Sequence, residues 1–288
     1  MHNAARGQAA LEYVILLAGI LLIIFLTIAV MQALQGRSKA QIEESVGTWK
    51  TFVCLSKYLA EPDSTLLAYK LDGLQGGTTP DSSAKHNDGI LKGGLPTLDS
   101  ANCKFPPCLH FGAAPGHVES SKPIEGVGSM TFLAWIRFDD SGDGSQPVIA
   151  AIANSFDLSF TQVDYIVWSM DDPPPPAMEA AFHFSVWTGL FNPVIVDPED
   201  MTLEGYHHIA ATYNETTGTA NVYIDGRLNA TVSGPANKPM WHSNLPLSVG
   251  NKQNDASQAF KGNIDQVEFY SRELTAEEIM QEIRCQPA

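Results

Sequence analysis

Between Val14 and Val30 the chain reads VILLAGILLIIFLTIAV, seventeen residues in which Thr27 is the only polar side chain. As a helix rising about 1.5 Å per residue this run covers about 26 Å, and its apolar flank Ala9–Leu11 lengthens it, so it can reach across a bilayer. A secretory signal peptide is the ordinary alternative, and it needs a shorter apolar stretch followed by a small-x-small cleavage site. Here Met31-Gln32-Ala33-Leu34-Gln35-Gly36 offers only a weak site through Ala33 and Gly36. The rest of the 288 residues has the texture of a folded protein, with 44% apolar, 17% charged, 23 Gly and 18 Pro in the whole chain. With 17 basic against 32 acidic residues the formal charge is −15, and no Lys/Arg cluster is present. Phosphate contact depends on basic side chains, so a nucleic-acid partner is not expected.

The segment just before the apolar run is Ala5-Arg6-Gly7-Gln8-Ala9-Ala10-Leu11-Glu12-Tyr13, which places a carboxylate at the edge of the helix. A charge at the centre of a bilayer helix costs about 2.5–3.5 kcal/mol on insertion scales, so such a residue is rarely idle. At Arg6-Gly7, Gln8, Glu12 and Tyr13 the chain resembles archaeal type IV pilin precursors, which carry a class III signal peptide. The resemblance implies a leader over residues 1–7, cut between Gly7 and Gln8 by a prepilin peptidase at the cytoplasmic face. It also implies that Glu12 meets the new amino terminus of a neighbouring subunit inside the filament core, where pairing offsets desolvation. A plain signal anchor with Glu12 snorkelling to the interface is the alternative. Arg6 on one side and Arg37 and Lys39 on the other leave the orientation open on charge alone.

From Ser38 to Glu61 helical spacing continues, with Ile42, Val46, Trp49 and Val53 on one stripe and Pro62 closing it. This predicts a stalk, so that residues 8–61 form one long transmembrane and assembly helix. Beyond Leu66 the texture changes to short alternating or apolar runs separated by Gly, Pro, Asn and Asp, an antiparallel β signature. Expected strands are Leu66–Asp72, Thr131–Phe138, Val148–Ala153, Tyr165–Trp168, Ala180–Trp187, His207–Tyr213, Asn221–Ile224 and Gln266–Tyr270. So many strands with one short helix predict a mainly β head over residues 62–288, a two-sheet antiparallel β-sandwich or jelly roll. Asp225-Gly226 reads as a hairpin turn and Thr275-Ala276-Glu277-Glu278 as a capping box opening a helix over Ala276–Arg284.

In order, LLAYKLD, PDSSAKHNDGIL, SMTFLAWIRF, YHHIAATYN, ANVYIDGRLNATV, LSVGNKQ and FKGNIDQVEFYSRELTAEEI resemble the successive strands of laminin G-like, concanavalin A-like lectin domains. The resemblance covers most of Leu66–Arg284. It departs after Asp81-Ser82-Ser83, where Ala84-Lys85-His86 replaces the family's glycine-rich loop, and at Asp171–Pro176, an extended tract that reads as an insertion. Sandwiches of this kind often hold a structural calcium ion, and the aspartate of the last long strand is a frequent ligand. The resemblance therefore implies Asp265 as a ligand, joined by groups near Asp72 and Asn87-Asp88, since a hard cation takes six to eight oxygens. The alternative for these residues is that they satisfy turns through backbone hydrogen bonds.

Hydrolases on this sandwich need paired carboxylates, usually as Glu-x-Asp followed closely by another Glu. That signature does not occur, and Glu199–Glu204 has the wrong spacing, so no enzyme activity is expected. His207-His208 reads as part of a core strand, with one ring buried and one exposed. Four cysteines in an exported chain suggest disulfides, with three possible connectivities. Cys103-Lys-Phe-Pro-Pro-Cys108 closes a small local loop, which leaves Cys54 with Cys285. Asn214-Glu-Thr216 and Asn229-Ala-Thr231 are glycosylation sequons, meaningful only if the head is outside. Together these readings predict a surface subunit, membrane-bound before assembly and extracellular afterwards. Its expected partners are other pilin subunits, and its expected role is adhesion to carbohydrate or glycoprotein. A filament coat without ligand and a surface glycan hydrolase are the rivals.

Overall fold

The computed structural model describes residues 64–112, 115–124, 128–139, 147–152, 166–170, 179–180, 182–188, 193–196, 201–202, 205–240, 245–251 and 258–285. Gly7, Gln8, Glu12, the apolar run and Cys54 lie outside the described residues. Among the described residues no helix is long and apolar enough to cross a membrane. The chain divides into two units, Met1–Ser56 and Lys57–Ala288, and every described residue belongs to the second.

The strands, in chain order, are β1 (Thr65–Tyr69), β2 (Thr78–Thr79), β3 (Gly89–Gly93), β4 (Thr97–Asp99), β5 (Cys108–Phe111), β6 (Gly116–Ser120), β7 (Met130–Phe138), β8 (Val148–Ile152) and β9 (Ile166–Met170). They continue with β10 (Glu179–Ala180), β11 (Phe182–Trp187), β12 (Pro193–Val196), β13 (Met201–Thr202), β14 (His207–Asn214), β15 (Thr219–Ile224), β16 (Arg227–Ser233), β17 (Ser248–Val249) and β18 (Gly262–Tyr270), before helix α1 (Ala276–Cys285). One sheet runs β16-β15-β14-β7-β18-β5-β4 with β1 also on β18, and the other runs β12-β11-β9-β8-β17-β6-β3-β2. A separate pair joins β10 to β13. The expected two-sheet antiparallel sandwich is therefore present.

Period-2 patterning explains the layers. In β7, MTFLAWIRF, Phe132, Ala134, Ile136 and Phe138 enter the core shared with Ala150 and Ile152 of β8, Val118 of β6 and Phe184 of β11. The alternate residue Leu133 faces outward, where it joins Ala210, Tyr223, Tyr270, Leu274 and Ile279 in a second apolar cluster at α1. Asp225 and Gly226, at φ 50° and 76°, make the hairpin turn between β15 and β16. Helix α1 opens with the capping box: the Glu278 N–H donates to Thr275 Oγ1 at 3.2 Å and the Thr275 N–H to Glu278 Oε2 at 2.8 Å.

Several strand bounds differ from expectation. Strand β1 stops at Tyr69 instead of Asp72, and Leu71 follows in the left-handed region at φ 59°. Strand β18 begins at Gly262, four residues earlier than expected, because its first half pairs with β5 and β7. Strands β2, β4, β5, β6, β12 and β13 were not expected, and β3 overlaps only the end of PDSSAKHNDGIL; all are short, and β3 and β6 each carry glycine.

Candidate functional site

Strand β18 carries a bulge between Asp265 and Glu268, with Gln266 at φ 51°. At the bulge β18 exchanges one neighbour for another: β5 pairs with Gly262–Ile264, and β1 with Val267–Tyr270. Asp265 lies opposite Trp135 of β7, which lies opposite His208 of β14, so the three side chains form a row across neighbouring strands. The segment between β4 and β5 covers this row. Phe105 donates its N–H to Asp265 Oδ2 at 2.9 Å, and its ring meets Trp135 edge-on with centroids 6.0 Å apart. Lys104 Nζ stands 4.1 Å over the Trp135 ring, and His208 packs edge-on against that ring at 5.2 Å.

This covering segment is held at several points. Asp99 Oδ1 accepts the N–H groups of Ala101 and Asn102, while Asn263 donates to Asp99 Oδ2 at 3.1 Å. Tyr206 donates its hydroxyl to the Asn102 carbonyl at 2.7 Å. Cys103 and Cys108 form the expected disulfide. Cys285 is also disulfide-bonded.

Burial dominates the electrostatics of the row. It pushes the Asp265 carboxyl up to about 7, with the Asp72 charge adding to the rise and hydrogen bonds from Phe105 and Gln266 opposing it. It also holds His208 down at about 3, against the opposing Asp225 charge and with help from Lys104. Among the described residues, Asp265 Oδ1, Trp135 Nε1 and both His208 ring nitrogens have no hydrogen-bond partner. His207, one residue away, is turned instead toward Asp225, with Nδ1 2.9 Å from Oδ2.

The residues expected to join Asp265 around calcium are divided. Asp72 is near enough for its charge to act on Asp265. Asn87 and Asp88 belong to a different construction, organised by the buried Asp81. Asp81 Oδ1 accepts from the backbone of Ala68 and Ser83, and its Oδ2 accepts from the Ser83 hydroxyl and the Asn87 N–H, all at 2.7–2.8 Å. Asp88 Oδ1 takes the Asp81 N–H at 2.9 Å. Asn87 Oδ1 accepts from Lys122 N and Ser121 Oγ, and its amide donates to the Lys122 carbonyl. These oxygens satisfy backbone donors in a turn, which is the alternative role of Asn87 and Asp88. Among the described residues no group of three or more His, Cys, Asp or Glu side chains is arranged to hold a metal.

Of the two sequon asparagines, Asn214 ends β14 with its amide on Glu273 Oε2 at 2.6 Å and its oxygen accepting from Thr216 and Thr217. Asn229 lies on β16, the outermost strand of its sheet.

Sequence reasoning offered a turn for Asn87 and Asp88 but did not single out Asp81 as its organiser or the cleft beside it. Asp-Ser-Ser followed by Asn-Asp was the available signal, because such side chains bond backbone groups a few residues away. The cleft has a volume of about 550 Å³. The 82–86 loop, β1 and the outward face of β18 surround it, and its lining includes Lys70, Ser83, His86, Glu268, Tyr270 and Arg272. Tyr270 donates its hydroxyl to Glu268 beside the cleft.

No curated protein matches the sequence. Among solved structures, domain 4 of AbnA, a GH43 extracellular arabinanase from Geobacillus stearothermophilus solved in complex with arabinotriose, is similar at TM-score 0.53 and 14% identity, over 77% of this chain and 98% of that one. The binding domain of Paraclostridial Mosquitocidal Protein 1 is similar at TM-score 0.55 and 14% identity, over 77% of this chain and 52% of that one. A structure of botulinum neurotoxin type C, whose cell entry depends on two ganglioside molecules, gives TM-score 0.54 and 16% identity over 78% of this chain and 52% of that one. The chain thus spans about half the length of these two toxin structures. At such identities the likeness is one of fold. Residues 113–280, more than half of the chain, match the Laminin_G_3 family, and the chain belongs to this concanavalin A-like lectin/glucanases superfamily.

Proposed function

We propose that the chain is a type IV pilin-like surface subunit that presents its sandwich for adhesion to carbohydrate or glycoprotein. The observation that carries this reading is the joining, in one sequence, of Arg6-Gly7-Gln8, Glu12 and a seventeen-residue apolar run to a lectin-family sandwich. The apolar helix serves first as membrane anchor and then as filament core, while the sandwich stays outside the cell. Carbohydrate is the favoured ligand because a structural neighbour was solved with arabinotriose and another is from a toxin that interacts with gangliosides. The role is binding and not hydrolysis, since the Glu-x-Asp…Glu strand signature does not occur in the sequence.

Two measurements test the reading. Mass spectrometry of the mature amino terminus should find Gln8, and a chain starting at Met1 or near Gly36 would remove the pilin assignment. The full chain in detergent micelles, applied to a glycan array, should bind a limited set of glycans in a manner competed by free oligosaccharide. An array without binding would leave only a coat role for the sandwich.

A further inference from the structure

The cleft beside the Asp81 turn gathers basic side chains at its mouth around one lining carboxylate, Glu268. The chain carries a formal charge of −15, yet Lys70, His86 and Arg272 converge on this one opening. Lys70 and His86 are exposed at its rim. Among the described residues Lys70 forms no ion pair. Arg272 is fixed by Glu278, with Nη2 2.7 Å from Oε1, so the guanidinium is held beside the cleft rather than swinging in solvent. Lys122 reaches the His86 carbonyl with Nζ at 3.5 Å, which brings a further cation to the same loop.

Deeper in, the character changes. Glu268 is only 5% exposed and Tyr270 2%, and the two are hydrogen-bonded to each other. The Asp81 turn makes the opposite wall rigid, because all four of its carboxylate hydrogen bonds go to Ala68, Ser83 and Asn87. Ser82, Ser83 and Ala84 on that wall are small, which leaves the volume open. At about 550 Å³ the space falls within the range of small-ligand sites, roughly 300–1,000 Å³. A ligand that fits must bring a negative group to the rim and hydroxyl donors to the interior.

We propose that this cleft is a subsite for acidic sugars, with Lys70 and His86 receiving the ligand's carboxylate and Glu268 and Tyr270 meeting its hydroxyls. The inference rests on the carbohydrate-binding reading above and narrows it to a ligand class and a place. Charge-assisted hydrogen bonds to a carboxylate are stronger than neutral ones, but those at an exposed rim are weakened by salt.

The test compares acids with their neutral partners by calorimetry on the full chain in detergent micelles: trigalacturonate against its methyl ester, and 3′-sialyllactose against lactose. At least one acid should bind about tenfold more tightly than its neutral partner, and the preference should shrink at high salt. Lys70→Glu should abolish that preference and leave the melting temperature unchanged, while His86→Ala should reduce it by a smaller factor. Equal affinities within both pairs, or a Lys70→Glu variant that keeps the preference, would overturn the acidic subsite. If the array also shows a neutral glycan bound equally by wild type and Lys70→Glu, the lectin reading stands without this site. An array silent for every glycan removes both.

Discussion

Asp265 and His208 stand on either side of Trp135 and shift in opposite directions, the carboxyl up to about 7 and the imidazole down to about 3. In an unfolded chain the two titrate near 3.9 and 6.5. Between about pH 4 and 6.5 the folded protein therefore holds an extra proton at Asp265 and lacks one at His208, and the two contributions to the pH slope of stability cancel. Above about pH 6.5 only the Asp265 mismatch remains, so stability falls as pH rises toward about 7; below about pH 4 only the His208 mismatch remains, so stability falls as pH drops toward about 3. Single substitutions should uncover each half. Asp265→Asn should make stability climb with pH from about 3 to 6.5, and His208→Leu should make it decline from about 4 to 7, each by up to about 1.4 kcal/mol per pH unit. Denaturant midpoints measured across that range check this, and parallel curves for wild type and both variants would contradict it. The sequence suggested one buried histidine in the pair His207-His208, and the alternation of a strand made that legible. That burial would also neutralise Asp265 was not legible, because the covering Phe105 is separated from it by 160 positions.

Among the elements, the covering segment between β4 and β5 depends on a short clasp. The Cys103–Cys108 disulfide closes a loop of six residues, for which chain entropy gives about 2 kcal/mol. Replacing both cysteines by serine should lower stability by about that amount and expose the bond after Lys104 to trypsin, since Lys104 would no longer be held over Trp135. Tryptic maps of folded wild type and variant give the comparison, and equal resistance would show that Phe105 and Asn102 hold the segment alone. The disulfide was readable from spacing, the β15–β16 turn from Asp225-Gly226, and the α1 start from Thr275 and Glu278, because each signal is complete within a few residues. The bulge at Gln266 was not readable. Neither glycine nor asparagine stands there, and its φ of 51° coincides with the exchange of β5 for β1 along β18, a tertiary event. Strands β5 and β6 were missed for a related reason: their short runs become strands only through partners such as β18 and β17.

For the whole molecule, engagement of Asn87 and Asp88 in the Asp81 turn predicts that calcium leaves stability unchanged. A site at a hundredfold excess over its Kd would add about 2.7 kcal/mol, so coincident melting curves in calcium and in chelator distinguish the two cases clearly. A rise of several degrees in calcium would restore a metal to Asp265. The filament reading makes its own demand: Glu12→Ala should insert into the membrane as well as wild type or better, yet enter filaments poorly. Unchanged incorporation would show that Glu12 has no partner between subunits. One further consequence follows from β18. It is the last strand of the sandwich, and it alone joins β1, the β4–β5 pair and the β7–β14–β15–β16 group. Until residue 270 has left the ribosome, that sheet exists as three disconnected pieces, each with an open edge where β18 will lie. A chain made amino terminus first therefore stays unfinished until its final stretch arrives. A product broken off before Gly262 exposes all three edges at once and is open to proteases.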